Sequence, residues 1–264
     1  MKGLATALSA VCVLSLACFA GSLEMSIGGG PSVISLDTIN DSIGVFNALI
    51  AHLNDTFDVH PDVTGSVPLL DDIGTSLSFS AVEHYRPTGW LALGASVDYA
   101  RSSSSTRGFY NGVEASEIAV DLTFQAINAV LGGTLTFLDV GIRLGITGGV
   151  GYYYAIVDHT VVFQIPAEYP DVIAGVPPEG SGRHTGGALG FDAGLSLSYP
   201  IAPWFIAGAD VIYRSAQLAS LTNQSANALD LDGDGNEESI DLSGLMVRFT
   251  FTISIDLSLG GGKE

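Results

Sequence analysis

Residues 245–259 run Leu-Met-Val-Arg-Phe-Thr-Phe-Thr-Ile-Ser-Ile-Asp-Leu-Ser-Leu, so every odd position is large and apolar and nearly every even one is polar or charged. Successive side chains of a strand point to opposite sides. One face therefore carries Leu245, Val247, Phe249, Phe251, Ile253, Ile255, Leu257 and Leu259, and the other Arg248, Thr250, Thr252, Ser254, Asp256 and Ser258. A strand of a soluble sheet usually has about 5 or 6 residues, whereas a tilted strand crossing a bilayer needs roughly 9 to 11. This segment exceeds both lengths. Such ribbons, if repeated, are expected to turn the apolar face to lipid and the polar face to the inside of a closed barrel.

Composition bounds the alternatives. Lys2 followed by the apolar stretch Leu4 to Phe19, with Ala20, Gly21 and Ser22 behind it, is the pattern of a secretory signal peptide. Cleavage after Ala20 is expected. It would leave a single barrel domain, 21–264, without Cys12 and Cys18, hence without disulfides, thiol nucleophiles or cysteine-ligated metals. A lipoprotein reading, with Cys18 acylated after Ser15-Leu16-Ala17, is the rival for this end of the chain. The remaining sequence has no run of about 18 apolar residues, so a membrane crossing must use strands. Charged residues are 14% of the chain, below the roughly 25% usual in soluble domains. The formal net charge of −19 argues against nucleic acid as a partner, since phosphate binding needs a basic face.

Period-two alternation marks candidate strands at 23–35, 75–86, 89–103, 115–131, 137–162, 185–199, 203–219 and 240–259. In the fourth, Ile118, Val120, Leu122 and Phe124 oppose Ala119, Asp121, Thr123 and Gln125. Short connections are expected at Arg86-Pro87-Thr88, around Gly132-Gly133, and over Tyr199-Pro200-Ile201-Ala202-Pro203. Long ones are expected at 36–74, 104–114, 163–184 and 220–239. An even strand number, short turns at one rim and long loops at the other form the layout of an eight-stranded antiparallel up-and-down outer-membrane barrel. Tyr85, Trp90, Tyr99, Tyr199, Trp204, Phe205 and Tyr213 fall near strand ends, as interfacial girdles require.

In architecture, the chain over residues 21–264 resembles the small eight-stranded outer-membrane proteins of the OmpX, OmpW and opacity type. The resemblance implies an outer-membrane, non-enzymatic, porin-like or surface-contact protein in contact with outer-membrane lipid, with small solutes or surface ligands as its other partners.

By parity, Glu24, Asp98, Asp121, Asp192, Asp210 and Asp256 are expected inside, with Arg143, Arg214 and Arg248. Bare charges cost several kcal/mol each when buried, so these groups should pair. Counting from the short-turn rim puts Arg143, Asp192 and Asp210 at similar heights, with Arg248 and Asp121 a little higher, which predicts one mid-barrel network. It serves either as a packed core, which eight strands can just enclose, or as a narrow cation-preferring path.

Two loops carry signals. Ile39, Ile43, Phe46, Ile50 and Leu53 recur at helical spacing, with Asp37 placed to cap a short amphipathic helix over the barrel mouth. In the last long loop Asp230, Asp232, Asp234, Asn236 and Asp241 follow calcium-loop spacing, with Gly235 at the sharp turn. Calcium binding over 230–241 and an ion-free acidic tip are both compatible with this spacing. His52, His60, His84, His159 and His184 stand in no recognisable catalytic spacing, and Ser103, Ser104, Ser105 and Arg107 read as flexible loop. The rival architecture is a soluble, secreted or lipid-anchored β-sandwich or lipocalin-like binder, with its apolar face inward.

Overall fold

The computed structural model describes residues 21–112, 116–164, 179–231, 233 and 235–257. The signal-peptide expectation, Cys12 and Cys18 lie outside them. The elements are β1 (Ser22–Ile34), α1 (Asp37–Asp58), β2 (Thr75–Thr88), β3 (Leu91–Phe109), β4 (Glu117–Asp139), β5 (Arg143–Gln164), β6 (Gly180–Ala202), β7 (Phe205–Ser215), β8 (Gln217–Leu218), β9 (Ile240–Asp241) and β10 (Gly244–Asp256). Eight strands close an antiparallel barrel in the order β1-β10-β7-β6-β5-β4-β3-β2, while β8 and β9 pair apart from it. Up-and-down closure leaves no open sheet edge at the seam, because β1 bonds both β2 and β10.

Three local expectations are corrected. Gly132 and Gly133 lie within β4, opposite Gly149 and Gly148 of β5, and the turn instead falls at Val140-Gly141-Ile142, where Gly141 adopts φ +88°. Ser103, Ser104 and Ser105 are not loop but part of β3, paired with Thr123, Leu122 and Asp121. In the third case α1 forms with Ile39, Ile43, Phe46, Ile50 and Leu53 buried, but Asp37 is its first helical residue and Leu36 holds the cap position without a side-chain cap.

The barrel is lopsided. β3 to β6 have 19 to 23 residues, against 11 to 14 for β1, β2, β7 and β10. Two of the long strands, β4 and β5, reverse their polarity part-way up. Below, β4 turns Leu131, Leu135 and Phe137 outward and Asn128, Thr134 and Thr136 inward. Above, the same strand turns Asp121 outward and buries Ile118, Val120, Leu122 and Phe124. β5 does likewise, with Ile146, Val150 and Tyr152 exposed below, and Val157, Val161 and Phe163 buried above. The upper apolar faces need a partner, and α1 is it. Its buried stripe, which runs on to Phe57, joins Val67, Leu70, Ile73, Leu218, Leu221, Leu229, Leu231, Ile240 and Leu242 in one core.

A ladder of asparagines fixes α1 to the chain that follows it. Asn40, Asn47 and Asn54 recur every seventh residue, and each side-chain amide exchanges two hydrogen bonds with one backbone unit: Asn40 with Ile73 (2.8 and 2.9 Å), Asn47 with Leu70 (2.7 and 3.0 Å), Asn54 with Val67 (2.9 and 2.9 Å). Seven helical residues rise about 10.5 Å, and three residues of extended polyproline-like chain about 9.3 Å. The two repeats therefore stay in step, and residues 67, 70 and 73 all face the core. Tyr110 closes the far end, its hydroxyl donating to Asn54 Oδ1 at 2.6 Å and its ring 4.5 Å from that of Phe57. Burial pushes this phenol up to about 12.

Candidate functional site

The inward face of the lower barrel holds charge in three stacked tiers rather than one network. At the short-turn rim, Glu24 of β1 receives Arg86 in a forked pair, Nε to Oε1 at 2.9 Å and Nη2 to Oε2 at 3.2 Å. Arg143 reaches the same carboxylate at 3.5 Å and Asp139 at 3.3 Å. In the middle, Arg248 of β10 bridges two carboxylates, Asp210 at 2.9 Å and Asp98 at 3.4 Å, and Ser80 donates its hydroxyl to Asp98. Above this, Arg214 lies 3.8 Å from Asp192 and packs over the Tyr153 ring at 5.6 Å. With its amide oxygen turned to the guanidinium, Asn128 accepts from Arg214 Nη1 at 3.0 Å and Nη2 at 3.2 Å, while the Tyr153 hydroxyl donates to Asp192.

Among the described residues the tiers set four guanidinium groups, buried Arg214 and Arg248 and half-buried Arg86 and Arg143, against four buried carboxylates, Glu24, Asp98, Asp192 and Asp210. Pairing of this kind keeps charges in a low-dielectric interior, since an isolated one costs several kcal/mol. It also narrows the lumen. A polar cavity of about 60 Å³, bordered by His84, Arg86, Thr134, Arg143, Ser196 and Thr252, sits below Arg248. Above Arg214 the interior is the apolar core under α1, where Leu122, Phe124, Val157 and Leu218 are buried.

Of the residues expected in the network, Asp98, Asp210 and Arg248 share one tier, and Asp192 and Arg214 another. Arg143 lies lower, with Glu24. Two others lie elsewhere. Asp121 points outward to solvent, its ladder neighbours being Ser105 and Thr160, because the outer face of β4 is polar at that height. Asp256 lies exposed at the last residue of β10 on the short-turn rim, opposite Ser22. Arg86, Asn128 and Tyr153 complete the tiers without having been singled out in the sequence. Arg86 is in phase with Ser80, Val82 and His84, so extending that alternation by one step would have found it. Gly190 makes the room for Tyr153, whose ring carbon would lie 2.8 Å from a Cβ there.

In the acidic loop, Asp230 accepts from the backbone N–H groups of Gly233 at 2.8 Å and Gly235 at 3.1 Å, and Asp241 from Ser243 N–H at 2.8 Å. Glu238 is buried against α1, where Ser42 donates to it at 2.9 Å. These acceptors bind the protein's own donors. Asn236 stands exposed beside them, and Asp232 and Asp234 lie outside the described residues. His159 lies on β5, within the strand expected over 137–162, and His184, expected in the connection 163–184, lies on β6; their rings stack at 5.3 Å between centres. Burial lowers both below the ordinary imidazole range, and the neighbouring His184 lowers His159 further.

No protein-family model matches the sequence, and no curated protein sequence does. Solved structures of similar shape are the outer membrane protein OprG from Pseudomonas aeruginosa (11% identity, covering 90% of this chain and 97% of that one, TM-score 0.39), a major outer membrane protein from Thermus thermophilus (10% identity, 89% and 100%, TM-score 0.47) and Ail, the attachment invasion locus protein of Yersinia pestis (14% identity, 90% and 100%, TM-score 0.41).

Proposed function

We propose that the chain is a non-enzymatic outer-membrane barrel, closed to solutes, that acts through its outer cap. Membrane placement rests on the exposed apolar belt. Leu189 is 83% exposed, Val150 68% and Leu77 66%, with many similar neighbours around the wall. Each such side chain left in water forgoes about 1.5–3 kcal/mol, so the belt needs a hydrocarbon solvent. From Leu144 to Tyr154, at about 3.3 Å per residue and a tilt of about 40°, the belt stands roughly 25 Å tall, as a transmembrane barrel requires. Tyr85, Trp90, Tyr199 and Trp204 edge it below, and Tyr99, Tyr152 and Tyr213 above, which supports interfacial girdles.

The cross-braced lumen carries the choice between passage and contact. Three cross-braced tiers and an apolar plug lie in series along the barrel axis, the path a solute would follow through the described residues. Outside, the α1 region exposes Asp37, Asp41, Asp55, Asp58, Asp62, Asp71 and Asp72, with no Lys or Arg from 37 to 74. That face repels anions and suits a cationic surface ligand. Reconstitution in planar bilayers tests the closure: the expected record is flat at voltages where porins conduct. Discrete, reproducible current steps that change size in Arg248→Ala would replace this reading with a gated path.

A further inference from the structure

Pairing of β5 with β6 brings together two histidines that the sequence keeps far apart. His159 lies opposite Gly182 and His184 opposite Val157, so their side chains are diagonal neighbours on the inward face of one antiparallel pair. They stand beside the outward Asp158 and Thr160, above the apolar belt. Glycine at 182 is what lets them meet, because a Cβ there would fall 2.7 Å from His159 Cε1 and 3.0 Å from His184 Cε1.

Both Nδ1 atoms are buried, and neither has a hydrogen-bond partner among the described residues. His184 as a whole is 6% exposed. A buried polar atom left unsatisfied is destabilising, so two on adjacent rings demand an explanation that packing does not give. Neutral imidazoles present a nitrogen lone pair, and imidazole nitrogen suits borderline divalent metals. Metal–nitrogen bonds of about 2.0–2.1 Å at a tetrahedral angle set two imidazole ring centres about 5 Å apart. These rings already have that separation, at 5.3 Å and an interplanar angle of 20°.

We propose that His159 and His184 form a two-imidazole site for a divalent d-block cation of the zinc, copper or nickel kind, with water in the remaining positions. Asp158 and its partner Arg183, 3.5 Å apart, flank the pair on the outer side of the wall and supply no net charge. Calcium is not a candidate, because it takes oxygen ligands. The site stands apart from the closure of the lumen: it survives if the barrel conducts and fails on its own evidence.

The test is titration of copper(II) into the full chain refolded in detergent, in a His52→Asn/His60→Asn background that removes the exposed imidazoles of the α1 region. One ion per chain is expected at about micromolar affinity, with nitrogen hyperfine structure from two imidazoles in the electron paramagnetic resonance spectrum and no competition from millimolar calcium. His159→Gln and His184→Gln should each weaken binding at least about tenfold, and the pair together should abolish it. An unchanged isotherm in the double variant overturns the proposal. So does a spectrum lacking two imidazole nitrogens, which decides the matter even where the variants fail to fold.

Discussion

The lower and upper halves of β4 and β5 use one continuous backbone ladder and opposite rules. Below, Leu131 and Val150 face outward while Asn128 and Gly149 face in; above, Asp121 and Asp158 face outward while Leu122 and Val157 face in. On the proposed membrane placement, the lower half is held by ion pairs inside a jacket of hydrocarbon, and the upper half by an ordinary apolar core under α1 inside a jacket of water. Alternation thus specifies a two-faced ribbon, and the surrounding solvent specifies which face is out. The lower half pairs its buried charges and the upper half packs its apolar side chains away from water, two answers to the cost of placing a group in the wrong medium.

That contrast can be strained by substitution. The largest effect is expected from Arg248→Ala, which leaves Asp98 and Asp210 buried without their shared cation; a loss of about 3–5 kcal/mol in denaturant unfolding follows. A loss below about 1 kcal/mol would mean the middle tier is wet. An arginine placed on the outer wall should then cost different amounts at the two heights. Leu195→Arg, within the belt, should destabilise by about 2–4 kcal/mol, whereas Ser105→Arg, beside Asp121 on the upper wall, should stay within about 0.5 kcal/mol. Equal costs would erase the distinction between the halves.

The sequence made the lower half readable and misled on the upper. In β10, Phe249 and Phe251 face out and Arg248 faces in, as alternation and an assumed lipid exterior require. The same assumption applied to Ile118, Val120, Leu122 and Phe124 turned Asp121 into the lumen, because a period of two carries no label for the solvent on each face. Gly132-Gly133 imitated a turn, yet glycines there belong to facing strands, and Gly141 hides the actual turn inside unbroken alternation from Val140 to Ile142. The helix was legible because five core positions share one stripe. Its asparagines at 40, 47 and 54 were equally periodic, but their meaning depends on the extended segment they grip. Which charges meet was not legible at all. Tier membership depends on barrel stagger, so Arg143 joined Glu24 and not Asp192, and the neighbours His159 and His184 stayed hidden for the same reason.

Nitroxide labels walked along the outward positions of β5 in lipid vesicles, with collision rates read for oxygen and for a water-soluble nickel chelate, test the reversal of polarity most directly. Oxygen should dominate at 146, 150 and 152 and the chelate at 158, 160 and 164, with the crossover between Tyr152 and Asp158. Chelate access at every position, or oxygen dominance up to Gln164, would contradict it.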